Sequence, residues 1–310
     1  MTGSRKPGFT NAIVLAALLA ASGACHWRSP IKPIMAGKAA DTLSLPSPVI
    51  NSHPDPETVR GALDYALVQN EALLASAPKH ESLLLTTCRQ YVQYATLFLQ
   101  PDAEALQFSD AAKAQTVSAR ALRLASRGKD LCWRALEARE KGTSTRLTAD
   151  PYGAAHRFDR DDVPLLYWSA AALSQTIALG AGRPDAANDW KVVRALAERG
   201  LALDDTWSRA ALHELMISVE SQDAAGGAEA RARQHFTRAI EVQQGLSPGP
   251  YLALAMGVAR PKRDRAEFEK LLTQAAAIDP EKDPTNRMPA TVLRQRARVL
   301  LANVDRILAR

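Results

Sequence analysis

Cysteine is scarce in this chain, which contains three among its 310 residues. Three are too few for the disulfide framework that holds many small secreted domains together. Cys88 and Cys132 lie among apolar neighbours on predicted helices, where we expect buried free thiols; a disulfide formed in an oxidising compartment is the alternative. The fold must therefore depend on a hydrophobic core, and a chain of this length can bury a large one in one or two domains.

Catalytic motifs are also lacking. The glycine loop GxGxxG, the P-loop and the nucleophile elbow GxSxG do not occur in the sequence. His213 and Glu214 begin the zinc-protease pattern HExxH, but Ile217 stands where its second histidine should be. The six histidines show no metal-ligand spacing. We therefore predict neither an enzyme nor a cofactor or metal site, and a hydrolase that uses His213 and Glu214 is the weakest hypothesis.

The sequence also lacks a concentrated cluster of charge. The formal net charge of +6 is spread along the chain, whereas a nucleic-acid-binding protein gathers basic residues on one face. Aromatic residues make up 5% of the chain and hydrophobic residues 46%, with alanine and leucine dominating. This composition favours helix over strand.

The N-terminus resembles a bacterial export signal. Arg5 and Lys6 precede the apolar run 12–21, which is shorter than the roughly 20 residues of a membrane-spanning helix. Ser22-Gly-Ala-Cys25 resembles a lipobox, so we predict a signal peptide over 1–24 and a lipidated Cys25. Cleavage before an unmodified Cys25 is the alternative. His26, directly after the cysteine, slightly favours the outer membrane. Residues 25–55 are rich in proline and form a predicted flexible linker.

Residues 56–310 show helical periodicity and no convincing strand pattern, which predicts an all-α domain of stacked helical hairpins. Gly128 is a possible break in a long helix, and residues 141–160 are predicted to be an irregular loop. The stretch Asp161–Gly180 holds no charged residue after Asp162, so we expect a central helix buried on most sides. The other predicted helices are Glu57–Ser76, Glu81–Leu99, Phe108–Glu140, Asp185–Leu203, Trp207–Ser221, Ala228–Gln244, Pro250–Ala259, Arg265–Ile278 and Pro284–Ala309.

A weak internal repeat supports the hairpin array. The segments 198–205, 237–244 and 273–280 are similar, and they place Leu203, Val242 and Ile278 at intervals close to the ~34-residue tetratricopeptide period. The full tetratricopeptide signature is absent, so the prediction is a degenerate tetratricopeptide-like repeat array. Such repeats stack to form a continuous core and a concave binding face.

Six stretches follow one another in a characteristic order. They are Asp162-Val-Pro-Leu-Leu-Tyr-Trp168, Ala211-Leu-His-Glu-Leu215, Gly226 to Phe236, Leu246-Ser-Pro-Gly-Pro-Tyr251, Asp264 to Glu269 and Ala276 to Arg287. In this order they resemble one family, the T-components of tripartite ATP-independent periplasmic (TRAP) transporters. The resemblance covers roughly Asp55 to Leu308.

The resemblance implies an all-helical periplasmic lipoprotein that forms a homotrimer and engages the solute-binding P-component of the transporter. It also implies an apolar channel for a hydrophobic solute. The candidate contact residues are those in the matching stretches: Tyr167, Trp168, His213, Glu214 and Tyr251. The second hypothesis is a general tetratricopeptide-like scaffold lipoprotein that assembles envelope proteins and binds no solute. Simple core packing is the alternative role of Tyr167 and Trp168.

Overall fold

The computed structural model describes residues 48–180, 186–223 and 226–309, together with Lys38. The predicted signal peptide, Cys25 and most of the predicted linker lie outside the described residues. Within them the chain is all-helical and contains no strand, which confirms the predicted fold class. The tetratricopeptide-like character of the repeats stays a prediction.

Fifteen helices follow one another in the described ranges. Their bounds are α1 Pro48–Ser52, α2 Pro56–Ser76, α3 Glu81–Tyr94, α4 Gln100–Leu106, α5 Ala111–Arg139, α6 Thr143–Ala149, α7 Pro151–Ala155, α8 Val163–Leu179, α9 Ala186–Leu203, α10 Trp207–Ser221, α11 Ala228–Gln243, α12 Gly249–Leu254, α13 Arg265–Ala277, α14 Arg287–Leu301 and α15 Val304–Leu308. Helix α1 lies inside the predicted linker and packs against α14.

Two helices contain a π-helical turn. The turn Ala95–Leu99 joins α3 to α4, and Pro101 follows it in the first turn of α4. A proline inside a helix has no N–H to donate and crowds the carbonyl four residues earlier. The helix therefore widens into a π turn at this point. The second π turn, Ala255–Ala259, continues α12.

Helices α3 and α5 are joined by a disulfide between Cys88 and Cys132, so the expectation of free thiols was wrong. Gly128, one turn before Cys132, lets the two helices approach closely. A Cβ added at Gly128 would lie 3.0 Å from the Tyr91 Cβ and 3.4 Å from the Cys88 carbonyl oxygen. Helix α5 runs through Gly128 without interruption, so this glycine is a contact point and no break. Periodicity could not show this, because it does not reveal which helix faces which.

The predicted irregular loop 141–160 is mostly helical, which corrects that expectation. It holds α6 and α7, and a short 3-10 turn, Arg160–Asp162, leads into α8. Residues that suggested a loop are helix starts. Pro151 occupies the first turn of α7, and the Asp150 carboxylate accepts a hydrogen bond from the Gly153 N–H.

Helix α8 is the buried central helix that the uncharged sequence predicted. It packs against α3, α5, α9 and α10. Most of its side chains belong to a large hydrophobic cluster that extends from α2 to α10. A second cluster, built by α10 to α15, continues the core toward the C-terminus.

A buried ionic network ties α9, α10 and α11 together. Glu220 on α10 is 2% exposed and accepts hydrogen bonds from Arg194 at 2.5 Å and from Arg231 at 2.8 Å. Asp223 binds both arginines at 3.1 Å. Two cations and two anions thus neutralise each other, which a buried carboxylate requires.

Helix α14, near the C-terminus, packs against the first helices of the chain. This helix contacts α1, α2 and α4 as well as α13. Arg296 forms two hydrogen bonds to the Glu104 carboxylate, at 2.7 and 2.6 Å, and Arg306 donates to the Phe108 carbonyl at 3.0 Å. Leu203, Val242 and Ile278, the repeat positions, fall at the C-terminal ends of α9, α11 and α13.

Two helical glycines should respond oppositely to alanine. Gly61 on α2 is exposed, and an added Cβ would meet no atom within 4 Å. We expect Gly61→Ala to stabilise the fold by about 0.5–1 kcal/mol through helix propensity. Gly128→Ala gains the same propensity but pushes α5 away from α3, and we expect a net loss of about 1–3 kcal/mol. Urea unfolding measures both variants. Equal stabilisation by both would contradict the close contact at Gly128.

Candidate functional site

One stripe of the buried helix α8 remains partly accessible. Tyr167, Trp168, Ala171 and Ser174 lie on it at helical spacing, while the remaining faces are mostly covered by neighbouring helices. The stripe carries no charge. It presents two large aromatic rings beside small side chains, as expected of an apolar contact surface.

Three aromatic rings meet at the start of this stripe. The centroids of Tyr167 and Trp168 are 4.9 Å apart in an edge-on arrangement, and those of Tyr167 and Trp207 are 5.0 Å apart. Trp207 begins α10, and sequence reasoning missed it. We call Tyr167, Trp168 and Trp207 the aromatic cluster. All three rings are partly accessible and pack against the large hydrophobic core.

Glu214 on α10 reaches the same region. Its carboxylate lies directly against Gly249 at the start of α12, where a Cβ would overlap it. The absence of a side chain at position 249 is therefore needed to admit the carboxylate. Sequence reasoning missed this glycine too, and a glycine that opens a helix within Ser-Pro-Gly-Pro was the available signal.

The electrostatics of Glu214 are those of a group taken out of water. Burial raises its pKa to about 7, although the Gln243 amide partly opposes the shift by hydrogen bonding. The side chain nevertheless keeps some accessible surface. The carboxyl group is therefore largely, but not wholly, removed from water. Burial, and after it the charge of the nearby Glu214, raises the pKa of Tyr167, so the two side chains lie close together.

Gln175, two turns along α8 from Trp168 on the same side, is buried with an unpaired amide. Neither its oxygen nor its nitrogen has a hydrogen-bond partner among the residues that the structure describes. Unpaired buried amides are rare in native proteins, because each lost hydrogen bond costs about 1–3 kcal/mol. Gln175 therefore offers a polar contact along the apolar stripe.

His213 lies apart from Glu214, although the two are adjacent in sequence. Its Nδ1 is 2.8 Å from the Nδ1 of His235, and its Nε2 is 3.9 Å from Asp205. Burial, and after it the proximity of His213, lowers the pKa of His235 to about 4. No group of three metal-binding side chains occurs in the described ranges. The histidine pair therefore links α10 to α11.

Tyr251 also lies in different surroundings. Its ring packs edge-on against Phe236, with centroids 5.4 Å apart, in the second hydrophobic cluster. The structure thus brings together three of the five candidates, Tyr167, Trp168 and Glu214, and separates His213 and Tyr251 from them. Two open surface cavities of about 450 and 340 Å³ are lined by other residues. The larger lies between α4, α5 and Leu179 at the end of α8, and the smaller lies beside α15.

Comparison with known proteins identifies the family. The model of the TRAP transporter T-component family matches residues 52–308, which is most of the chain. The chain belongs to the TRAP transporter T-components. It is also 26% identical over 266 residues to an uncharacterized protein of Treponema pallidum (strain Nichols), and the match covers 83% of this chain and 81% of that relative.

Family membership implies an auxiliary component of a TRAP transporter, in a family of transporter subunits rather than enzymes. This T-component has no helix, within the ranges described above, that is long and apolar enough to cross a membrane.

The raised pKa of Glu214 predicts a pH-dependent effect of Glu214→Gln. In the unfolded chain this carboxyl ionises near its usual pKa, whereas in the fold it stays protonated up to about pH 7. Its contribution to stability is complete below the unfolded pKa and is lost as the pH rises through 7. Glutamine cannot ionise, so we expect the variant to gain about 2 kcal/mol relative to the parent between pH 5 and pH 8.

Thermal unfolding at both pH values measures this difference, as a relative shift of about 5 °C. Glu241→Gln, at an exposed position on α11, controls for the loss of one carboxylate. A Glu214→Gln effect that is the same at pH 5 and pH 8 would contradict the burial of this side chain.

Proposed function

We propose that this T-component is a periplasmic lipoprotein that docks the solute-binding P-component of its transporter and holds a hydrophobic solute. The observation that carries the proposal is the uncharged, partly accessible stripe of α8 with its aromatic cluster. The other faces of α8 are mostly covered by neighbouring helices, and this partly accessible stripe lies beside Trp207 and Glu214. Rigid aromatic rings with a few polar groups are typical of small-molecule sites. Tyr167, Trp168 and Glu214 are the proposed solute contacts, and His213 and Tyr251 are the weaker candidates.

A homotrimer belongs to the same proposal. Tyr65 and Val68 project from α2 with 69% and 70% of their surface exposed, and such apolar side chains favour association with another protein. The measurement is light scattering of the mature protein. A mass three times that of the chain is expected, and a monomer at micromolar concentration contradicts the trimer.

Docking is tested by recovering the tagged mature T-component from its native periplasm. We expect a solute-binding protein to be recovered with it. The double variant Tyr65→Glu/Val68→Glu, which removes the side chains proposed to favour the trimer, should recover less of it, because the trimer is the form proposed to dock. Tyr152→Glu, which changes another exposed aromatic ring, is the control. Repeated recovery without any solute-binding protein would refute the adaptor role and favour the general scaffold.

Solute holding predicts a loss of binding without a loss of fold. Trp168→Gln should lower the affinity for an apolar fluorescent probe at least about tenfold, since a buried indole contributes a large apolar area. The helical circular dichroism should be unchanged. Trp133→Gln is the matched control, because Trp133 on α5 is also partly buried in the same core. If both variants behave alike, Trp168 only packs in the core, as the scaffold hypothesis requires.

Membrane anchoring rests on Cys25 and the linker 25–55, and the outer membrane is the slightly favoured location. Fatty-acid labelling should mark the parent protein and leave Cys25→Ser unlabelled, since a thioether requires the thiol. The variant should also move to the aqueous phase in detergent phase separation. Labelling that persists in Cys25→Ser would refute the assignment of this cysteine.

A further inference from the structure

The aromatic cluster has the chemistry of a cation-binding site. Tyr167, Trp168 and Trp207 place three rings with neighbouring centroids about 5 Å apart, and each of the three residues is partly accessible. The face of an aromatic ring is negative, and tryptophan attracts cations most strongly. The accessible sides of such rings can contact a methylated ammonium group, which needs no hydrogen bonds and tolerates an apolar environment.

Glu214, the acidic group whose charge acts on Tyr167, has no cation paired with it in the described part of the chain. Arg209, earlier on the same helix, binds Asp283 at 3.0 Å. Arg194 from α9 and Arg231 from α11 both bind Glu220, at the far end of α10. These three arginines, on α9, α10 and α11, are therefore paired with carboxylates other than Glu214.

The other groups that face Glu214 are neutral. The Gln243 amide approaches from α11, the Tyr167 phenol from α8, and the backbone of Gly249 from α12. His213 is turned toward His235. A carboxylate held among neutral groups is uncompensated once it ionises, and it attracts any cation that can reach it.

We infer that this site takes an ammonium compound, a quaternary or protonated amine on an apolar body, with the cation between the aromatic cluster and Glu214. The inference rests on the proposed solute holding and names the class of solute. A solute carboxylate would be repelled by Glu214, and a wholly apolar solute would leave the Glu214 charge without a cation. An ammonium group can make cation–π contacts with the rings and an ion pair with the carboxylate at the same time.

Proton linkage supplies an independent signature. Glu214 must ionise to pair with the cation, so at pH 7 binding should release about half a proton per site. The affinity for a permanently charged ammonium should fall about tenfold from pH 8 to pH 6, because the ionised fraction of Glu214 falls by that factor. A neutral apolar compound should show no such dependence.

The experiment is isothermal titration of the full mature chain with hexyltrimethylammonium, 1-hexanol and hexanoate, in buffers of different ionisation enthalpy. At pH 8 we expect hexyltrimethylammonium to bind at least about tenfold more tightly than hexanol, and hexanoate to bind most weakly. The titrations are repeated in high salt. The affinity should change little if the ammonium pairs with the buried Glu214, and should fall if the ammonium is only attracted to surface charges, because salt screens buried pairs much less.

Two variants locate the effect. Glu214→Gln should abolish the proton release and most of the preference for the ammonium probe while hexanol still binds. Trp207→Leu should weaken the ammonium probe more than hexanol, because it removes a ring and keeps apolar bulk. Glu241→Gln is the control and should retain the parental preference.

The outcomes separate the two proposals. Binding of hexanol or hexanoate as tightly as the ammonium probe would overturn the cation inference and leave solute holding intact. Binding of none of the three probes would overturn both. A preference for ammonium that persists unchanged in Glu214→Gln would show that another group provides it, and would overturn the role of Glu214.

Discussion

The uncharged helix α8 constrains the arrangement of the helices around it, because almost its whole circumference must be removed from water. One neighbouring helix covers about a third of a helix surface, so several must surround it, and α3, α5, α9 and α10 do so. The residues that follow α8 in sequence therefore fold onto the same core as those that precede it. The stripe with Tyr167 and Trp168 is the part of α8 that these neighbours leave partly accessible.

Three kinds of contact hold the neighbours in place. Gly128 and the Cys88–Cys132 disulfide bring α3 and α5 close together. Glu220 with its two arginines joins α9, α10 and α11 through charges that neutralise one another away from water. Arg296 and Glu104 connect α14 to α4, so the end of the array packs against its beginning. Contacts so distant in sequence give the molecule a defined interior.

The candidate site follows from these contacts. Helix α10 brings Trp207 and Glu214 to α8, and α12 admits the carboxylate because Gly249 has no side chain. The result is an apolar surface beside one carboxyl group, that of Glu214, whose pKa burial has raised. For a transporter auxiliary component, we propose that such a surface holds an apolar solute and that the Glu214 carboxylate selects the solute by charge.

The sequence by itself determined the fold class, the buried position of α8 and most helix bounds, because apolar periodicity and helix-stop residues are local properties. The stretch around Asp162-Val-Pro-Leu-Leu-Tyr-Trp168 also indicated the family, which the comparison confirmed. Local patterns failed for residue types that occur both in loops and at helix starts. Asp150 and Pro151 suggested a loop, but they begin a helix. Only the tertiary structure decided that the thiols of Cys88 and Cys132 are joined. The tertiary structure alone also showed that Glu214 lies beside Tyr167 and that His213 faces His235. Adjacent residues on a helix point in different directions, and the sequence does not show which helix each of them contacts.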